Sequence, residues 1–537
     1  MRVETDESGG GGAAAWGRAV IECLVIAAAF AAAGAWPAPD VNEAVYLTKA
    51  RHVADPAWGA GDFFLETPDA HGVFYRLMGP VAAALPLEQA AWLGRVAGWL
   101  LLAIGFRHAA VPLLASGVAR VAAALAFSLA LRSTTAAGEW VIGGCEAKVF
   151  AWAALLGGLG EVVTGRFASA VCRCGIAAAF HPIVGGWALI ATVATWAATG
   201  GRLRPFGWQA AVLVAAGLLS AAAGVVPALG LMAGVDPATR AEATRIYVAE
   251  RLPHHLLPRT FADGMVARHL LAAAVWWMLG LLLPRSEARR RITTFTAVAL
   301  AISLAGVGLS LLEAWSPTSA YALLRYYWFR LADVAVPFAL ATTLVAVLGH
   351  EAACSRLAAG RPGLLKASVG LVLALDLAAQ GLHWPLPGRN DVVARCDAKL
   401  PAAAWSEVCE WVREHAPDEA CFLTPRGAAS FTWRTGRREV VSWKNSPQDA
   451  ASLVAWRRRI IDCFSRDGSL AALERSTASL GPDRVRACAD RYGADHAVVP
   501  LDAPLLEGFP GRRLFANDAF AVYRLDAPPA PSSKRGR

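Results

Sequence analysis

Apolar runs dominate the first three quarters of the chain. They fall near residues 17–36, 89–106, 117–132, 148–163, 167–181, 183–199, 208–232, 266–284, 292–314, 328–348 and 364–383. A run of about 20 residues, rising about 1.5 Å per residue, crosses a hydrocarbon layer of about 30 Å, so the pattern predicts about eleven transmembrane helices. The runs 167–181 and 183–199 are short and meet at His181-Pro182, which leaves a half-buried hairpin as the alternative there. Arg18 ahead of the first run would suit a signal peptide. Because many similar runs follow, the first reads as a retained span.

The pattern changes after Gly388. Helical spacing places Trp405, Val408 and Val412 on one face of 402–415, and further helices are predicted at 449–464 and 485–492. Short β-rich stretches fall at 420–424, 439–443 and 496–500, and 512–515 and 520–525 flank a hairpin turn at 516–519. The expected organisation is a disordered cytoplasmic N-terminus (1–16), a mainly α transmembrane bundle (17–387) with a long first outer loop (37–88), a small α/β domain (388–527) and a disordered tail (528–537).

Composition agrees with this division: 56% of residues are hydrophobic and only 17% charged, too apolar for one water-soluble core. The formal charge is +9, but its basic residues are scattered through short loops and the C-terminal region instead of forming a stripe, which argues against nucleic acid as a partner. With the N-terminus in the cytoplasm, the short loops containing Arg107, Arg166, Arg202, Arg204, Arg285, Arg289, Arg290, Arg291, Arg356, Arg361 and Lys366 lie inside. The loops 37–88, 133–147, 233–265 and 315–327 then lie outside together with the C-terminal domain. Ten cysteines include no C-x-x-C pair; Cys172 and Cys174 sit in an apolar run where packing explains them, and the five in the C-terminal region do not imply a complete disulfide framework.

The outer loops hold most of the residues suited to chemistry. Asp40 and Glu43 follow the first span, at a spacing that places both on one helix face; an N-cap at Asp40 with Glu43 as its capping-box partner is the structural alternative. Asp62, Glu66 and Asp69, with His71 beyond them, read as solvated acids of the same loop. In the second loop, Glu139, Glu146 and Lys148 lie among glycines that let a ligand approach the backbone, and a Glu146–Lys148 pair would equally explain two of them. The third loop has His254 and His255 between two prolines with Arg259 just beyond, donors suited to a phosphate, or simply an interfacial basic loop. Arg330 and Asp333 occur at i and i+3 at the start of a later span, where they must face a cavity or one another.

Several stretches together resemble the GT-C glycosyltransferase superfamily: Pro39-Asp40-Val41-Asn42-Glu43, Gly61-Asp62-Phe63-Phe64-Leu65, Gly143-Gly144-Cys145-Glu146-Ala147-Lys148, His181-Pro182 and Trp328-Phe329-Arg330-Leu331-Ala332-Asp333. In the tail, residues 411–417 and 491–499 look like the outer domain that ends many such chains. The resemblance implies a bacterial inner-membrane enzyme that takes a sugar from a polyprenyl-phosphate donor, with its C-terminal domain extracytoplasmic. Asp40 would be the base, and Glu43 would orient the acceptor or help to hold a divalent cation. Arg330, with His254, His255 or Arg259, would stabilise the departing lipid phosphate, and direct displacement would invert the sugar carbon. The first outer loop contains no Asp-Asp, Asp-Glu or Asp-x-Asp motif. Transport and a non-catalytic scaffold are the competing classes.

Overall fold

The computed structural model describes residues 9–200, 207–389, 391–504 and 508–526. The tail at 528–537, residues 1–8, Arg202 and Arg204 lie outside the described residues. Helix α1 (Gly9–Gly34) already includes residues 9–16, which were expected to be disordered; once the apolar span has nucleated a helix, extending it costs little. The first outer loop contains two helices, α2 (Glu43–Ala54) and α3 (Gly72–Ala84), the second interrupted by Pro80 and not anticipated from sequence. Helices α4 (Leu87–Ala110), α5 (Gly117–Ser133), α6 (Ala147–Thr164), α7 (Phe167–Phe180), α8 (Pro182–Ala198) and α9 (Trp208–Gly230) follow. The third loop holds α10 (Pro237–Arg245) and the single turn α11 (Pro253–Leu256). The bundle is completed by α12 (Asp263–Leu281), α13 (Glu287–Ser310), α14 (Pro317–Leu324), α15 (Ala332–Gly349), α16 (Glu351–Leu357) and α17 (Pro362–Gly381).

Every expected apolar run is therefore helical. Among the described residues eight of these helices are long and apolar enough to cross a membrane: α1, α4, α6, α9, α12, α13, α15 and α17. The other three, α5, α7 and α8, have 17, 14 and 17 residues, so the number of full-length spans is below the eleven expected. The protein is a polytopic helical membrane bundle. Its core stacks Phe106 on Phe127, with Phe30 and Phe338 edge-on to them. Side chains are absent where α7 meets α9: a Cβ on Gly175 would collide with the backbone of Gly217, so only glycine allows that approach.

The C-terminal domain contains α18 (Ala402–His415), β1 (Cys421–Leu423), α19 (Phe431–Thr435), β2 (Arg438–Glu439), α20 (Ala450–Phe464), α21 (Pro482–Tyr492), β3 (His496–Pro500), β4 (Gly511–Ala516) and β5 (Phe520–Leu525). One sheet runs in the order β2-β1-β3-β5-β4, parallel across its first three strands and antiparallel across its last three. The expected small α/β domain is thus present. Strand β2 is shorter than anticipated and lies earlier, because the chain beyond Glu439 turns back so that Ser442 and Asn445 donate to the Glu439 carboxylate.

Side-chain contacts gather the long loops and this domain at one end of the bundle, called here the loop end. Asp62 Oδ2 accepts the Glu439 backbone N–H at 3.0 Å, Arg457 pairs with Glu250 at 2.6 Å, and Arg395 pairs with Asp40 at 2.6 Å. The C-terminal domain is consequently a wall of whatever site this end contains.

Candidate functional site

At the loop end a cavity of about 1100 Å³ opens between the bundle and the C-terminal domain. One wall is apolar and belongs to α8 and α9, where Ile183, Trp187, Ile190, Val225 and Leu229 line it. Ile190 and Leu229 also face outward, 53% and 66% exposed, so this wall continues into the lipid-facing surface.

A polar part of the lining comes from the first outer loop and carries Asp69 and His71. Asp69 Oδ1 lies 2.7 Å from His71 Nδ1, and its other oxygen lies 3.6 Å from the buried Lys49 ammonium. Burial alone would raise the Asp69 pKa, but the contacts with His71 and Lys49 outweigh it and hold the carboxyl well below the usual range. An ionised Asp69 orders the imidazole with Nδ1–H toward it. His71 Nε2 is buried and has no protein partner among the described residues, so in the neutral imidazole it is the nitrogen left with a lone pair.

Cations complete the cavity. Arg330 Nε lies 2.6 Å from Glu139, Arg330 Nη1 donates to His181 Nε2 at 3.2 Å, and the guanidinium covers the Tyr327 ring at 3.8 Å. Tyr327 adopts φ 53°, an uncommon backbone state for a residue with a side chain; it directs the phenol toward Tyr247, with the hydroxyls 3.0 Å apart. Lys148 reaches Glu146 at 3.5 Å, the pairing weighed from sequence. Lys444 comes from the C-terminal domain; burial, with Arg251 beside it, lowers its pKa to about 8.

The sequence-derived site residues divide between the cavity and its surroundings. Lys148, His255 and Arg330 line it. His255 bonds the Ala137 carbonyl through Nδ1, and burial lowers its pKa to about 3, so it serves as a neutral group. Glu139 and Glu146 stand behind Arg330 and Lys148 as their partners. His254 is exposed and lies tilted against His255 with ring centroids 4.1 Å apart. Arg259 is tied to Glu313 at 2.8 Å, outside the cavity lining. Arg330 does not pair with Asp333: that carboxylate accepts the backbone N–H groups of Ala136, Ala137 and Glu139.

Asp40 and Glu43 are placed apart from these residues. Neither lines the cavity, and both are fully buried. Arg395 donates to both Asp40 oxygens, at 2.8 and 2.6 Å. Arg95 likewise donates to both Glu43 oxygens, at 2.6 and 2.5 Å, and the Cys145 and Asp40 backbone N–H groups donate to the same carboxylate. The last bond is the return half of the capping box weighed from sequence, although Asn42, not Asp40, caps α2. The Glu43 carboxylate so engaged has no free lone pair for a proton or a cation, and Asp40 is held by Arg395 and by the Val41 N–H. Among the described residues no group of three or more His, Cys, Asp and Glu could hold a metal ion. Glu43, with every lone pair accepting a hydrogen bond, does not fit as a ligand of a resident cation.

Asp69 and His71, read as part of a solvated loop, are the groups the sequence reading underrated. The His71 and Asp69 side chains are only 6% and 5% exposed, because the C-terminal domain closes over them; Gln448, for example, accepts the Ala70 N–H at 3.3 Å. The local signal was the Pro68-Asp69-Ala70-His71 spacing, which lets one carboxylate oxygen meet both the N–H and the ring of the residue two positions on.

Residues 403–463, most of α18 through α20, match a family model described as a domain of unknown function (DUF6798). No curated protein matches the chain in sequence. In structure the chain is similar to the oligosaccharyltransferase of Archaeoglobus fulgidus, solved with Zn and sulfate, at 12% identity and a TM-score of 0.41, over 90% of this chain and 68% of that one. It is also similar to ArnT from Cupriavidus metallidurans bound to undecaprenyl phosphate, at 15% identity and a TM-score of 0.30, over 94% and 97% of the two chains. Likenesses this low carry no weight in the functional reading, which rests on the cavity.

Proposed function

We propose that the protein is a membrane glycosyltransferase that takes a sugar from a polyprenyl-phosphate donor in the loop-end cavity. The observation that carries this reading is the cavity's asymmetry. Its apolar wall runs into the lipid-facing surface, as a polyprenyl tail requires, while its polar part holds a carboxylate–imidazole dyad joined through His181 to the Arg330 guanidinium. The sequence resemblance to GT-C enzymes points the same way.

In this mechanism His71 Nε2 takes the proton from the acceptor hydroxyl, and Asp69 holds the imidazole and stabilises its protonated form. The acceptor oxygen attacks the anomeric carbon, and the carbon–oxygen bond to the lipid phosphate breaks, inverting the centre. Arg330, Lys148 and Lys444 bear on the oxygens where negative charge grows, in a site poor in water. The polar groups gather at one end of the bundle, which favours transfer over transport through a midplane site. We further place the loop end outside the cytoplasm of a bacterial inner membrane, because Arg285, Arg290, Arg291, Arg356 and Arg361 follow or precede spans at the opposite end.

The test is turnover of radiolabelled polyprenyl-phosphate sugars by the purified full chain in lipid nanodiscs. His71→Ala is expected to lower turnover by about 100-fold or more while donor binding persists. Equal turnover would remove His71 as the base. Absence of wild-type turnover across all donors and acceptors would remove the transferase reading and favour transport or a scaffold.

A further inference from the structure

A second cavity, of about 140 Å³, lies at the other end of the bundle, between the end of α12, the start of α13 and the last turns of α15. Arg289 is the one charged residue in its lining, beside the hydroxyl side chains of Thr293 and Thr343. Its neighbours Arg290 and Arg291 both reach Glu287, at 3.3 and 3.8 Å. The half-buried Arg289 guanidinium has no carboxylate partner and no hydrogen-bond acceptor among the described residues. A half-buried guanidinium at the membrane edge without a counter-charge makes the cavity electrostatically complementary to an anion.

The rim identifies the source of that anion. Trp277 and Leu281, both in the cavity lining, are 54% and 72% exposed and face the lipid, whereas Trp276 is buried behind them. An indole at headgroup level beside an apolar surface suits an acyl chain leading away from a phosphate. A free phosphate would use the guanidinium and leave this rim empty.

We infer that the cavity around Arg289 binds the headgroup phosphodiester of an anionic glycerophospholipid from the leaflet at that end, with an acyl chain lying along Trp277 and Leu281. Arg289 donates to the phosphate oxygens, and the Thr293 and Thr343 hydroxyls are placed to add donors. The site is separate from the loop-end cavity and does not depend on the reaction proposed there.

The experiment is native mass spectrometry of the delipidated full chain titrated with phosphatidylglycerol or phosphatidylcholine. The wild type should retain one phosphatidylglycerol most strongly, and Arg289→Gln should weaken that adduct about tenfold or more. Arg290→Gln, which alters a guanidinium already reaching Glu287, should leave it unchanged. Thr343→Val and Trp277→Ala, which keep every charge, should each weaken it severalfold and provide the answer if Arg289→Gln does not fold. Equal retention of the two lipids, an unchanged adduct in Arg289→Gln with Trp277→Ala, or displacement by millimolar inorganic phosphate would overturn the inference.

Discussion

Arg395 grips both oxygens of Asp40 across 355 residues of sequence, tying the start of the C-terminal domain to the exit of the first span. The guanidinium is itself sandwiched between Trp36 and Trp140, 4.7 and 4.2 Å from their ring centroids. Removing one member of a buried pair strands the other, at a cost of about 3–5 kcal/mol. Asp40→Asn should therefore lower the unfolding temperature and expose the junction near residue 395 to protease. Thermal unfolding of the purified variant, alone and combined with Arg395→Gln, reads this directly. A destabilisation in the double variant equal to the sum of the two singles would show that the pair has no coupling of its own.

Glu43 occupies the comparable position beneath the second outer loop. Four donors converge on its two oxygens, and Gly144 packs so closely that a Cβ there would come within 2.6 Å of the Glu43 side chain. Glu43→Gln leaves Arg95 buried without its counter-charge, and Gly144→Ala displaces the same carboxylate by steric pressure. Both are expected to cost about 2 kcal/mol or more, with the two effects less than additive because they disturb one contact. Denaturant or thermal melts of the two single variants and the double decide the point; strictly additive losses would contradict a shared contact.

These two acids also show what the sequence could and could not reveal. Membrane architecture was legible because an apolar run is its own signal: each expected run became a helix, and the C-terminal elements fell close to their predicted limits. The special standing of Asp40 and Glu43 was legible too, but their partners were not. Arg95 sits among apolar residues inside its helix and Arg395 lies in a linker, and nothing local assigns either to an acid far away in sequence. Asp69 and His71 failed in the opposite sense. Their loop is polar, but burial comes from a domain whose docking surface leaves no periodic trace.

Lys444 gives donor binding a pH signature. Burial first, then Arg251, lowers its pKa to about 8, so the cavity loses a cation as pH rises through that region. A bound anion favours the protonated lysine, so the midpoint in the complex lies higher. His255 does not contribute there, since it is already neutral above about pH 3. Affinity for a polyprenyl phosphate should fall between pH 7 and 10, and Lys444→Gln should bind about tenfold more weakly at pH 7 with that fall reduced. Titrations with a fluorescent lipid phosphate at several pH values provide the check. A slope preserved in Lys444→Gln would assign the titration to another group.

Glu439 predicts an opposite kind of pH dependence, in stability instead of binding. Its side chain is buried at the seam where Asp62 of the first outer loop accepts the Glu439 N–H. Burial, and then the Asp62 charge, raises the Glu439 pKa from 4.5 to about 7, and burial raises that of Asp62 as well. A carboxyl whose folded pKa exceeds its unfolded value binds its proton more tightly in the folded state. Its contribution to stability is fully present below about pH 4.5 and is lost as pH rises to about 7. Asp69 has the reverse sign, but its pKa is lowered, so its contribution disappears only in more acidic solution and leaves this window clear. Docking of the C-terminal domain should therefore weaken from pH 5 to 7.5, by at most about 3 kcal/mol. Hydrogen exchange at the Glu439 amide, measured across that range, should accelerate at neutral pH beyond its intrinsic rate. Glu439→Gln cannot ionise and should flatten the dependence; an equal slope in that variant would place the titration elsewhere.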